Sequence, residues 1–144
     1  MEGDGGRALA TARLIAVVSY AVAVLAYPVV GVALKVKVGL SPQALAVVGP
    51  AVLAAGVVDY VISLAVERAL LEAAQRAPST QRPMRVTTAA VTTAALGESL
   101  ALLGLVVSLL GARGWGGLLY LMCLQHGLHL GMRWPSYESA AAGQ

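Results

Sequence analysis

Residues Thr87 to Gly111 read TTAAVTTAALGESLALLGLVVSLLG. As a helix rising about 1.5 Å per residue, this stretch is long enough to cross the roughly 30 Å hydrocarbon core of a bilayer. It is apolar or small throughout, apart from hydroxyls and one carboxylate, Glu98. An ionisable side chain in the middle of such a span is costly and by default marks a functional site. The small residues Ala90, Ala94, Gly97, Ala101, Gly104, Ser108 and Gly111 recur at alternating steps of four and three, an unbroken heptad seam. In lipid, helix association depends on backbones approaching closely, which such a seam permits. This helix is therefore predicted to pack against another along its whole length. Glu98 lies about 100° round from Gly97 and flanks the seam.

The rest of the chain agrees with a membrane setting. Of 144 residues, 58% are hydrophobic and 12% charged, and the mean hydropathy is +0.78, far from a soluble globular composition. The fold class expected is an all-α integral membrane protein with four transmembrane helices. The net charge of +3 does not indicate nucleic acid, because the basic residues fall between apolar runs and aromatic stacking residues are scarce. Cys123 is the single cysteine, which excludes an intramolecular disulfide and any two-cysteine metal motif.

Four helices are predicted, at about 12–35, 42–76, 84–111 and 115–133, forming one membrane domain with flexible tails at 1–10 and 135–144. The first contains Pro28, which should kink it. The second begins at Ser41-Pro42, an N-cap followed by proline at the first helical position. On it, Gly49, Gly56 and Ser63 recur every seven residues as a second small-residue stripe, and Asp59 lies on the same stripe as a second intramembrane carboxylate. Its far end, with Glu67, Arg68, Glu72 and Arg76, reads as a charged stem beyond the membrane, supported by i, i+4 pairs. The segment Ala77 to Met84 is a short polar loop, so helices two and three should form an antiparallel hairpin. Trp115 and Trp134 bracket the fourth span at the spacing of the two interfacial aromatic belts.

Basic residues give orientation. Arg7, Arg13, Arg68, Arg76, Arg82, Arg85 and Arg133 fall on one side, Lys35, Lys37 and Arg113 on the other. The majority places both termini in the cytoplasm and the chain in a membrane, expected to be the cytoplasmic membrane.

Glu98 and Asp59 are the candidate proton or cation sites, since a low-dielectric setting pushes a carboxylate toward its protonated form. Thr88, Thr92 and Ser99 form one polar stripe: either a path toward Glu98 or threonines bonded back to their own helix. His126 and His129, one turn apart and near Cys123, are weak metal candidates, because no other histidine or cysteine exists to complete a shell. The sequence contains no nucleophile beside a base and no phosphate loop. It implies no enzyme and no cofactor.

The run from Gly97 to Gly111, with Glu98 followed by Gly104-Leu105-Val106-Val107, resembles the carboxylate-bearing helix of the proteolipid, or c, subunit of rotary ATP synthases. The preceding loop, with Gln75-Arg76-Ala77-Pro78 and Arg85, is similar to that family's polar loop. Residues 44–111 would be its hairpin, and by resemblance Glu98 would bind a proton or sodium ion. Three readings result. The leading one is a self-associating membrane subunit, expected to be a homo-oligomer, with an ion site at Glu98. The others are a structural subunit packed around other membrane proteins and a small proton-coupled transporter.

Overall fold

Four helices pack so that the third touches all the others. A computed structural model describes residues 2–34 and 39–143 and contains α1 (Glu2–Ala33), α2 (Pro42–Gln75), α3 (Arg82–Leu109) and α4 (Arg113–Ala142). Lys35 and Lys37, used above for orientation, lie outside the described residues. Among the described residues α1 and α2 share no contact: each packs on α3 and on α4, from opposite flanks of that pair.

Helix ends follow local chemistry. Ser41 caps α2, its hydroxyl accepting from the Ala44 N–H at 3.2 Å, with proline in the first turn. At the end of α3, Gly111 adopts a left-handed φ of 96°. The Ala112 N–H reaches back to the Val107 carbonyl and the Gly111 N–H to that of Ser108, a Schellman turn that satisfies the last carbonyls of the helix. Gly111 is exposed in this turn, so the seam ends one step earlier than its spacing implied: this glycine serves the backbone, not helix contact.

Both outer helices are longer than expected. α1 begins at Glu2 and continues through Pro28. The tail predicted to be flexible from 135 is helix to Ala142, and Trp134, Tyr137 and Ala140 are buried in it. These side chains recur every three residues and close over Leu71, Ala74, Val86 and Ala89, so packing overrides the polar composition around them.

Three apolar clusters stack along the bundle. One, at the 77–81 connection, joins Leu9, Leu71, Val86, Leu130 and Tyr137. A middle one holds Ala23, Leu100, Ala101 and Cys123. The third, at the far end, holds Val107, Ala112 and Leu119 with Val52, Leu53 and Leu103. The outer surface reverses the pattern of a soluble bundle. Leu14, Val17, Leu25 and Val29 of α1, Val47, Val58 and Ile62 of α2, Val106 of α3, and Leu121, Leu128 and Met132 of α4 are all exposed, while polar side chains lie inside. α1 from Gly6, α2 and α3 are each long and apolar enough to cross a membrane.

The seam of α3 is filled from within the same chain. Ala90, Ala94, Gly97, Ala101, Gly104 and Ser108 are buried. A Cβ at Gly97 would collide with the Tyr20 hydroxyl and the His126 ring, and one at Gly104 would press on the Gly116 carbonyl and the Tyr120 ring. The stripe of α2 is used likewise, with Trp115 over Gly49 and Leu119 over Gly56.

Candidate functional site

On α2, Asp59, Ser63 and Glu67 are spaced by four and therefore share one face. That face meets α3 and α4, and each of the three side chains finds a polar partner there.

Glu67 is only 1% exposed. Its Oε2 lies 3.1 Å from His129 Nε2 and its Oε1 accepts from Arg133 Nε at 3.5 Å. The sequence placed Glu67 in a solvated stem because Arg68, Glu72 and Arg76 follow it. Arg76 and Glu72 do form an exposed pair at 3.1 Å, but Glu67 turns inward. A buried carboxylate requires pairing, and two cationic or titratable groups of α4 supply it.

One turn deeper, Ser63 and His126 are both fully buried. The Ser63 hydroxyl is 2.6 Å from His126 Nε2, and the Tyr20 hydroxyl of α1 is 2.5 Å from His126 Nδ1. A neutral imidazole has one donor and one acceptor nitrogen, so one hydroxyl donates to the ring and the other accepts from it. Tyr60 covers the ring edge-on at 5.5 Å between centroids. Gly97 makes room for this contact between α1 and α4 across α3. His126 and His129 were weak metal candidates. The structure places both nitrogens of His126 in hydrogen bonds, and among the described residues no three histidine, cysteine, aspartate or glutamate side chains converge on a point.

Deeper again, Ser99 of α3 donates to Asp59 Oδ2 at 2.5 Å, while also lying 2.5 Å from its own Leu96 carbonyl. From Glu67 to Asp59 the descent is about 12 Å along the helix. The ring centroids of His126 and His129 are 6.4 Å apart, so the groups form a staggered line of titratable and hydroxyl side chains. Below Asp59 the line stops at Val52, Leu53, Leu103, Val107 and Leu119.

Glu98 faces the other flank. It is half-buried and its Oε1 accepts from the Tyr27 hydroxyl of α1 at 3.2 Å. The two acids are thus bonded to different helices, on the two sides of α3. Thr92 is half-buried, and Thr88 bonds back to the Met84 carbonyl of its own helix at 3.0 Å. Thr93, which the sequence reading passed over, is fully buried and accepts from the Tyr137 hydroxyl at 3.4 Å. Burial pushes the Tyr137 phenol above its ordinary range.

Besides Thr93, the polar groups missed include Glu67, Tyr20 and Tyr137. The four-residue step from Asp59 through Ser63 to Glu67 was a visible signal for the first. For the two tyrosines no local signal exists, since their partners come from other helices. Compared with protein-family models, curated proteins and solved structures, the chain matches none of them.

Proposed function

We infer that this chain is a small four-span membrane protein that takes up and releases protons on intramembrane carboxylates, as a proton-coupled transporter or translocating subunit does. The observation that carries the reading is the line from Glu67 and His129 through His126 and Ser63 to Asp59. Ionisable groups inside a membrane span are costly and concentrate where protons or ions move. Imidazole nitrogens and hydroxyls, which can both donate and accept, suit relay positions between two acids. The apolar plug beyond Asp59 gives the line access to one side only.

Helices α2 and α3 form an antiparallel hairpin in this reading, and α4, with its exposed Leu121, Leu128 and Met132, makes the fourth crossing. Both termini then lie on the arginine-rich, cytoplasmic side, and protons enter at Glu67. The resemblance of residues 97–111 to the proteolipid helix supports Glu98 as a second ion-binding carboxylate, released through Tyr27. Because α3's seam is occupied by α1 and α4, the reading favours a unit that works without copies stacked on that seam. Association with other copies or with other membrane subunits would use the aliphatic outer faces.

The test is difference infrared spectroscopy of the reconstituted chain during a pH titration, with proton uptake followed in parallel by a pH dye outside the vesicles. A protonated-carboxyl band should titrate, lose intensity in Asp59→Asn, and exchange more than tenfold slower in His126→Phe. A titration identical in all three proteins would leave the buried groups with a purely structural role.

A further inference from the structure

Between α1 and α4 an open groove of about 340 Å³ runs along the outside of the bundle, within the roughly 300–1,000 Å³ typical of small-molecule sites. Its walls are almost wholly apolar. Leu124 and Leu128 line one side, and Tyr20, whose hydroxyl holds His126, lies along its floor. The groove exists because α4 carries glycine at 127 and 131, one turn apart: Gly127 lies against the Tyr20 ring, and nothing comes within 4 Å of a Cβ placed at Gly131.

One end of the groove has a different character. Arg13 and Trp134 close it, the guanidinium carbon 5.7 Å from the centre of the indole ring. Arg13 is exposed and, among the described residues, belongs to no ion pair. It stands where the long apolar run of α1 begins, directly before Leu14, at the depth where tryptophan and arginine meet lipid headgroups. An apolar groove, open on its outer side and headed by a cation stacked on an indole, has the chemistry of a phospholipid turned outside in.

We propose that this groove binds a single phospholipid with an anionic headgroup, one acyl chain lying between α1 and α4 against Tyr20 and its phosphate on Arg13. The chain contacts the phenol that fixes His126, so occupancy of the groove holds the Tyr20 side chain in place. The site stands on the groove and Arg13 alone and does not depend on the proton-handling reading.

The experiment uses the full chain with Trp115→Phe, leaving Trp134 as the one indole, in phosphatidylcholine vesicles containing a rising fraction of dibrominated phosphatidylglycerol or dibrominated phosphatidylcholine. Bromine quenches Trp134 more strongly the longer a chain is held beside it, so seating in the groove adds to the quenching by passing lipid. Half-quenching should need about a fivefold lower mole fraction of the anionic lipid, the gain one cation gives near an anionic headgroup. Arg13→Gln should bring the two lipids to the same curve, and Gly131→Leu, which fills open space, should weaken quenching by both. Equal curves for the two lipids in the parent protein overturn the proposal, as does a preference that survives Arg13→Gln. If Gly131→Leu leaves quenching unchanged, the acyl chain is not in the groove and the proposal fails on that count as well.

Discussion

Around the 77–81 connection the interior of the bundle holds Glu67, His126, His129, Thr93 and Tyr137, all bonded across helices. At the opposite end it holds Val107, Ala112 and Leu119 against Val52 and Leu53. The two halves use the same four helices and the same close spacing, yet solve different problems. In the far half backbone proximity alone is enough, and a small residue beneath a large one, as with Gly49 beneath Trp115, sets the fit. In the near half several close approaches also bring polar atoms together, so geometry there is fixed by hydrogen bonds as well as by shape. Errors in the near half leave unsatisfied groups in a low-dielectric interior, which is the more damaging fault.

That contrast predicts an order of effects, measurable by reversible unfolding in mixed micelles. The largest should be Gly97→Leu, which overlaps Tyr20 and His126 at once. Overpacking and the loss of two buried hydrogen bonds together should cost more than about 3 kcal/mol. Gly49→Leu in the far half is the matched control. It should cost only about 1 kcal/mol, because Trp115 is half-exposed and can swing outward; equal costs would break the comparison.

Next comes the double variant His129→Leu with Arg133→Leu, which strips Glu67 of both its basic partners. About 3 kcal/mol is expected from an uncompensated buried charge. Glu67→Leu should cost far less, since its partners are 31% and 42% exposed and water can receive them. Ser63→Ala, which leaves one His126 nitrogen unpaired, should cost about 1 kcal/mol. Smallest is Arg76→Ala. Its pair with Glu72 is exposed on both sides, and a loss below about 0.5 kcal/mol is expected.

The existence of the helices was legible because apolar runs of this length have few alternatives. The α3 seam was legible too, since spacing alone dictates which residues permit close contact. The owner of the opposing surface was not: nothing in Ala90 to Ser108 distinguishes a helix of the same chain from one of a second copy. Helix ends were misjudged where packing overrides composition, as at Tyr137 and Ala140, which are buried although Pro135, Ser136 and Glu138 surround them. Glu67 was hidden by its neighbours in sequence. Arg68 and Glu72 point to solvent, and a charge among charges reads as surface unless the i, i+4 face it shares with Asp59 and Ser63 is given precedence. Glu98 was singled out from its cost and from the likeness to the proteolipid helix, and neither specifies which flank of α3 it faces.

The lack of contact between α1 and α2 has a consequence for how the chain is made. Synthesis delivers helices in order, and the first two emerge with no surface for each other. Both must wait in the bilayer as independent spans until α3 arrives, when each docks on its own side. The first span is therefore tied to the rest by lateral docking and one short covalent link, not by an early nucleus. Cut between residues 34 and 42 and expressed as two pieces, α1 and the remaining three helices should find each other in the membrane and rebuild the Tyr20–His126 contact without the link.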